Sequence, residues 1–423
     1  MPVGEVIQYR RKEKGLTQAS LAIGICSIPY ISKLENNALE PKEDILKLLC
    51  EKLDLTITDV KGADRYDDTL HLMKKAFISI TERRPDPDIE QLIKDISLAV
   101  RDVAAPDIQL SYKLLLAQYY LYKRSQTPAY EYLTEVKRHL PLLDKEILAG
   151  FFYSKGLYEY LYGSLEQSLH EYRKSREILT DLHLEIAFVN YQLGLVHSNL
   201  MHIDDSMFYT RKALDYYNDK LNIPRIVDCN MLIGINYRRL EKYSAAIDQY
   251  LRLQELLLHH NDQKYFGKLQ HNLGHTYILR GDYEEGIPHV KKALETKAYQ
   301  PEKINSLYVL SFAYKKCKQT EQALRYIHQG IELSLKENDY AYYYKFLITE
   351  AFLEDNVQGN LLQTLEEEAL PFYKKQNSSL HNELVLILAD LYKKHKRYKK
   401  ASHYFEMYIL QNTTNNHSRG FLY

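Results

Sequence analysis

The chain has 423 residues, with 56 Lys and Arg against 56 Asp and Glu, four cysteines, no Trp and 38 Tyr. That length exceeds one ordinary hydrophobic core and predicts at least two domains or a repeat array. A formal net charge of zero excludes a whole-chain electrostatic pull toward nucleic acid, so any DNA binding must come from a small local surface. Cys26, Cys50, Cys229 and Cys317 lack CxxC or metal-type spacing, which suits a reducing cytoplasm. Glu5, Arg10, Arg11 and Lys12 interrupt the start of the chain, against a signal peptide. No run of 18 apolar residues predicts a membrane span.

Val3, Val6 and Ile7 on one face predict a helix over residues 3–14, stopped by Gly15. Thr17 can cap a second over 18–23, ending near Gly24. Ser27 can cap a third over 28–36, with Pro29 in its first turn, where a missing N–H costs little. Pro41 opens a fourth that carries Ile45, Leu48, Leu49 and Leu53, and Leu55 to Val60 begins a short fifth. Five short helices with a tight turn between the second and third predict a helix-turn-helix domain over 1–64. It is not basic: residues 1–64 hold nine Lys or Arg and ten Asp or Glu. Phosphate neutralisation supplies much of DNA affinity, so a dimer on two half-sites of double-stranded DNA is expected.

Beyond it a pattern repeats. A small residue recurs at Gly194, Gly234, Gly274, Ser311 and Ala389, with weaker copies at Ala117 and Gly156 and one missing near 350. Tyr follows three residues later, replaced by His197 in one copy and Glu159 in another, and Ala246, Ala323 and Ala401 stand twelve later. This is the tetratricopeptide pattern, in which the small residue lets two helices approach and the aromatic fills the next gap. Extended backwards through residues 70–100, it predicts about nine helix pairs over 65–410, followed by a flexible tail at 411–423. The expected fold is all-α: a five-helix helix-turn-helix domain, then a right-handed tetratricopeptide superhelix whose first helices line a concave face.

Inner-face positions supply a mixed polar and aromatic set. Tyr191, Asn199, Asn230, Asn236, Arg238 and Arg239 come from two neighbouring copies; His271, His275 and Tyr308 come from the next two. Asn can bond both the N–H and the C=O of an extended peptide, and Arg suits a carboxylate. His271 and His275 stand at metal-ligand spacing, but without an intervening Glu or a third ligand they read as groove lining. The basic run Lys393–Lys400 reads as a solvated helix junction. There is no Walker loop, GxGxxG, nucleophile elbow or acid/base pair. The sequence therefore predicts no enzyme, cofactor or metal.

The strings Gly15-Leu-Thr-Gln-Ala-Ser-Leu-Ala22 and Tyr30-Ile-Ser-Lys-Leu-Glu-Asn36 resemble the phage-repressor type of helix-turn-helix, the xenobiotic-response-element family. The resemblance implies that Ser27, Ile28, Pro29, Ser32 and Lys33 face the major groove, that Gln18 reaches a phosphate or base edge, and that Asn36 sits by the DNA backbone. It makes Arg11 and Glu35 a structural ion pair. Such a domain followed directly by long tetratricopeptide-like repeats resembles the RRNPP peptide-pheromone receptors of Gram-positive bacteria. The run Arg225-Ile-Val-Asp-Cys-Asn-Met-Leu-Ile-Gly-Ile-Asn-Tyr-Arg-Arg239 is similar to their peptide-holding inner helix. This implies a cytoplasmic quorum-sensing regulator that binds a short re-imported oligopeptide. The peptide would change the oligomeric state, dimer or tetramer, and DNA binding at promoters of extracellular protease and late-growth genes. A sporulation phosphorelay protein is a further partner the resemblance implies. Repeats that bind a protein partner instead of a peptide remain the alternative.

Overall fold

A computed structural model describes residues 3–57, 60, 66–82, 89–101, 103, 105–260, 263–296, 303–353, 359–375 and 380–414, and among these there is no strand. They divide into two compact units, Met1–Leu240 and Glu241–Tyr423.

The first unit begins with α1 (Val3–Glu13), α2 (Gln18–Ala22), α3 (Ile28–Glu35) and α4 (Glu43–Leu53). Val6, Ile7, Leu21, Ile31, Leu34, Leu46, Leu49 and Leu53 close a separate core. Gly4 lets α1 cross the end of α3, since a Cβ there would lie 1.8 Å from the Leu34 carbonyl oxygen. Gly15 and Gly24 carry the left-handed turns. Leu48 departs from expectation. It is 45% exposed, because it falls opposite the Leu46–Leu49–Leu53 stripe. Ser27 sits at the N-cap of α3, with Pro29 in the first turn, and its side chain makes no capping bond. Of the fifth helix, residues 58–59 and 61–65 lie outside the described residues, and Val60 is buried in the core.

The unit continues through α5 (Tyr66–Thr81), α6 (Ile89–Arg101), α7 (Pro106–Tyr122), α8 (Gln126–Lys137), α9 (Lys145–Tyr162), α10 (Leu165–Asp181), α11 (Ala187–Asn199), α12 (Ile203–Asp219) and α13 (Ile223–Arg239). The second unit holds α14 (Tyr243–His260), α15 (Gln263–Arg280), α16 (Tyr283–Glu295), α17 (Lys303–Lys316), α18 (Thr320–Lys336) and α19 (Tyr340–Leu353). It ends with α20 (Gly359–Thr364), a π-helical turn (Leu365–Ala369), α21 (Leu370–Lys375), α22 (Leu380–Lys394) and α23 (Tyr398–Thr414).

The repeats share three features measured from the small residue. At the small position itself, Gly194 is so close to the second helix that a Cβ would meet Thr210 Oγ1 at 2.3 Å. Seven residues on, the chain turns through a left-handed residue: Arg124, Met201, Glu241, Gly281, Lys318 and Lys396. Three residues on, an aromatic ring stacks on another twelve further along. The pairs Tyr120–Tyr132, His197–Tyr209, Tyr277–His289, Tyr314–Tyr326 and Tyr392–Tyr404 have interplanar angles of 10°, 12°, 8°, 7° and 6°. This recurring stack accounts for part of the Tyr excess. The copy missing near 350 is α19, with Ala351 buried. Ala351 falls 40 residues after Ser311 and 38 before Ala389, inside the repeat step, and the partner of α19 contains the π turn. Residues 411–414, expected in a loose tail, continue α23; 415–423 lie outside the described residues.

Candidate functional site

Arg11 and Glu35 are both buried. The guanidinium grips the carboxylate through Nε at 2.6 Å and a terminal nitrogen at 2.8 Å, and donates to the Leu16 carbonyl at 2.7 Å. Gln18, expected at a phosphate or base edge, donates to Glu35 Oε2 at 2.8 Å. It belongs to the network joining α1, α2 and α3, because a buried carboxylate needs every donor within reach. Burial pushes the Glu35 carboxyl up, but the bonds from Arg11 and Gln18 outweigh it and hold the group below the usual carboxylate range. What α3 leaves to solvent is Ser27, Ile28, Pro29 and Lys33, with Ser32 half-buried. Ile28 is 49% exposed, an apolar tip suited to a thymine methyl. Asn36 is exposed and bonds back to the Ser32 carbonyl at 2.9 Å.

The helix-turn-helix domain is docked on the repeats that follow. Tyr9 of α1 is 4% exposed and meets the His139 ring edge-on at 5.7 Å. Burial raises its phenol pKa, with Lys113 of α7 opposing. The helix after the domain, α5, lies against α7, α9 and α13. Lys74 pairs with Glu146 at 2.6 Å, and Phe77 packs on Tyr153 with centroids 5.9 Å apart. The last carbonyls of this run are held from 140 residues away: Arg225 donates to the Thr81 carbonyl, and Asn222 donates to that of Glu82 at 3.3 Å. Arg225 is buried, pairs with Asp228 at 3.2 Å and lies over the Tyr191 ring at 4.9 Å. Beside α5 an apolar cavity of about 310 Å³ is lined by Met73, Phe77, Leu114, Gly150, Leu179 and Phe188.

Among the expected groove residues of this unit, Asn236 is a correction. It is 0% exposed. Its Oδ1 accepts from Ser198 Oγ at 2.5 Å and its Nδ2 donates to Ser206 Oγ at 2.7 Å, so it ties α13 to α11 and α12 as packing. Asn199 stays exposed and donates to the Tyr160 hydroxyl at 3.0 Å, while accepting from Arg239 at 3.0 Å. Arg239 also donates to the Ser198 hydroxyl at 2.6 Å. Asn230 is half-buried and bonds the Ile226 carbonyl at 2.7 Å; Arg238 is half-buried.

In the second unit His271 is buried as well, with Nδ1 2.8 Å from Ser306 Oγ and Nε2 3.2 Å from the Asn305 amide nitrogen. The rings of His271 and half-buried His275 are 5.8 Å apart. Tyr308 meets Phe346 edge-on at 5.6 Å, and burial raises its pKa. The sequence reading missed Arg225, Asn222 and Tyr160. Arg225 carried a signal, as a cation in the first turn of a helix, where the dipole disfavours it.

The family model for helix-turn-helix domains matches residues 7–60, and that for the tetratricopeptide repeat matches 267–299, which is α15 and α16. The transcriptional activator NprA of Geobacillus stearothermophilus is 26% identical over 402 residues, 92% of this chain and 97% of the activator. The apo form of the quorum sensor NprR from B. thuringiensis superposes with a TM-score of 0.68 at 18% identity, covering 82% of this chain and 99% of that one. A Rap protein complexed with Competence and Sporulation Factor also gives 0.68, at 19% identity over 82% and 98% of the two chains. A repressor-type domain, repeats that follow it directly, and a match running almost end to end with NprA make this chain similar to the RRNPP family of peptide-pheromone receptors and transcriptional regulators.

Proposed function

We propose that the chain is a peptide-responsive transcriptional regulator, a binding protein rather than an enzyme. The exposed edge of α3 reads an operator half-site, with Lys33 and Ile28 at base edges. A short oligopeptide binds the inner helices of the first unit, where Asn199, Asn230, Arg238 and Arg239 meet its backbone. The observation that carries this reading is the clamp between Arg225 and the end of α5. A peptide carboxylate would take Arg225 through a charge-assisted pair, stronger than its bond to a neutral carbonyl. That exchange frees the C-terminal end of α5, the helix whose start follows the DNA-binding domain. The neighbouring apolar cavity is large enough for one aliphatic or aromatic side chain. Because a ligand shifts only states it binds differently, displacement of α5 supplies the required difference. We further propose that the shift changes the oligomeric state, dimer or tetramer, and so the spacing of two half-sites at promoters of extracellular protease and late-growth genes.

The test is a library of free-acid heptapeptides and its C-terminally amidated twin, read by light-scattering mass and operator binding. Free-acid peptides should be retained and change both readouts in the wild type, and fail on Arg225→Met. If no free-acid peptide is retained, the peptide reading falls. The Rap likeness then favours the second reading, repeats that hold a protein partner such as a sporulation phosphorelay protein.

A further inference from the structure

The α11–α12 hairpin departs from its sister copies at three linked positions. Where they carry Tyr120, Tyr237, Tyr277, Tyr314 and Tyr392, it has His197. Five and eight residues on it has His202 and Asp205, where the last copy has Arg397 and Lys400. In that last copy the positions satisfy one another: Lys400 donates to the Tyr392 hydroxyl at 3.4 Å, and Tyr392 donates to Glu366 at 2.5 Å. In the α11–α12 copy they do not. His197 is 1% exposed, and neither of its ring nitrogens has a hydrogen-bond partner among the described residues. Stacking on Tyr209, with centroids 5.6 Å apart, fixes the ring. Asp205 Oδ2 is 3.7 Å from His197 Nδ1, too far for a hydrogen bond. The left-handed turn at Met201 brings His202 alongside, its ring 5.7 Å from that of His197. One ligand atom from each of the three lies within 4.8 Å of the other two.

We propose that His197, His202 and Asp205 bind a divalent transition-metal ion, zinc foremost. Two imidazoles and one carboxylate are a borderline-soft set that leaves a fourth position to water. Bonds of roughly 2.0–2.2 Å put tetrahedral ligand atoms roughly 3.3–3.6 Å apart, so the triad must close by about an ångström. His202 and Asp205 are exposed and can rotate inward, while His197 stays fixed as the anchor. Burial lowers the His197 pKa, against the pull of Asp205, which favours the neutral imidazole that a metal requires. A bound ion would lock the end of α11 to the start of α12, beside Asn199.

The experiment uses the full chain without a polyhistidine tag, stripped with chelator and titrated with Co²⁺, then Zn²⁺. About one equivalent of Co²⁺ should produce the visible absorption of a low-coordinate complex, and Zn²⁺ should displace it. His202→Ala and Asp205→Asn should each weaken Co²⁺ binding by at least the roughly ten- to hundredfold that loss of even an outer-shell partner costs. His197→Tyr installs the residue of five sister copies, so it should keep wild-type circular dichroism and lose the band. A wild type without a saturable band, or a band unchanged in His197→Tyr, overturns the site.

Discussion

The helix-turn-helix domain and the repeats behind it use buried polar groups in opposite ways. In the domain one ion pair, Arg11 with Glu35, joins three helices and recruits Gln18 and the Leu16 carbonyl. In the repeats, beside charged pairs such as Arg225 with Asp228, a small neutral contact is reiterated: Ser168 donates to the Gly156 carbonyl at 2.8 Å, and Ser206 to that of Gly194 at 2.6 Å. The domain therefore concentrates its buried charge at a single point above its apolar core, whereas the array spreads its stability over near-equivalent neighbours. A surface that must hold a fixed shape against DNA gains from the first arrangement. A groove that must adjust to a ligand gains from the second.

The largest effect should come from breaking that single point. Glu35→Ala leaves the Arg11 guanidinium buried and unpaired and should cost the domain about 3–5 kcal/mol in urea unfolding, with operator binding lost in parallel. A cost below about 1 kcal/mol, the range of exposed ion pairs, would erase the contrast. The same pair predicts a pH response. The Glu35 carboxyl is held below its ordinary value by Arg11 and Gln18, so its stabilisation is full above the ordinary glutamate range. It drains away as pH falls from there through the depressed value. Thermal melts should show that acid-side loss in the wild type and not in Glu35→Gln.

Next in size is a strike at one repeat. Gly194→Ala puts a Cβ 2.3 Å from Thr210 Oγ1 and should cost about 1–3 kcal/mol. Hydrogen exchange should speed up in α11 and α12 and leave the helix-turn-helix amides unchanged; a global loss would show the array to be more cooperative than its geometry suggests. A smaller step is Tyr392→Leu, which removes the stack on Tyr404. The stack accounts for about 0.5–1.5 kcal/mol beyond area within α22 and α23, and the lost hydroxyl bond to Glu366 carries the effect into the π turn. Smallest for stability is Lys33→Ala at an exposed position, whose melt should match the wild type. Its operator affinity should fall by about 1–3 kcal/mol if Lys33 reads a guanine, or the salt slope by about one if it meets a phosphate. Unchanged binding and salt slope would remove α3's edge from the interface.

The two regions also differ in how far they could be read in advance. Helices α1–α4 follow from local signals: apolar spacing, Thr17 at a cap, and Gly15 and Gly24 at left-handed turns. The pairing of Arg11 with Glu35 came from the resemblance of the strings around them, and the repeat spacing came from the small residues at steps of 37–40. What the spacing could not supply was which polar residues end inside. Asn236 and Asn199 looked alike in sequence, but one is fully buried between two serines and the other is exposed on a hairpin tip. A helix presents a polar residue by its rotation against neighbours, and that rotation is fixed by packing partners some 40 residues away. The grip of Arg225 on Thr81 spans 144 residues, beyond any local pattern. The sequence by itself therefore determined the helices and their period, because those depend on neighbours within a turn or two and on a recurring small residue. Only the tertiary structure decided the buried partners of Asn236, His271 and Arg225, because a buried polar group takes its bonds from whatever the fold brings beside it.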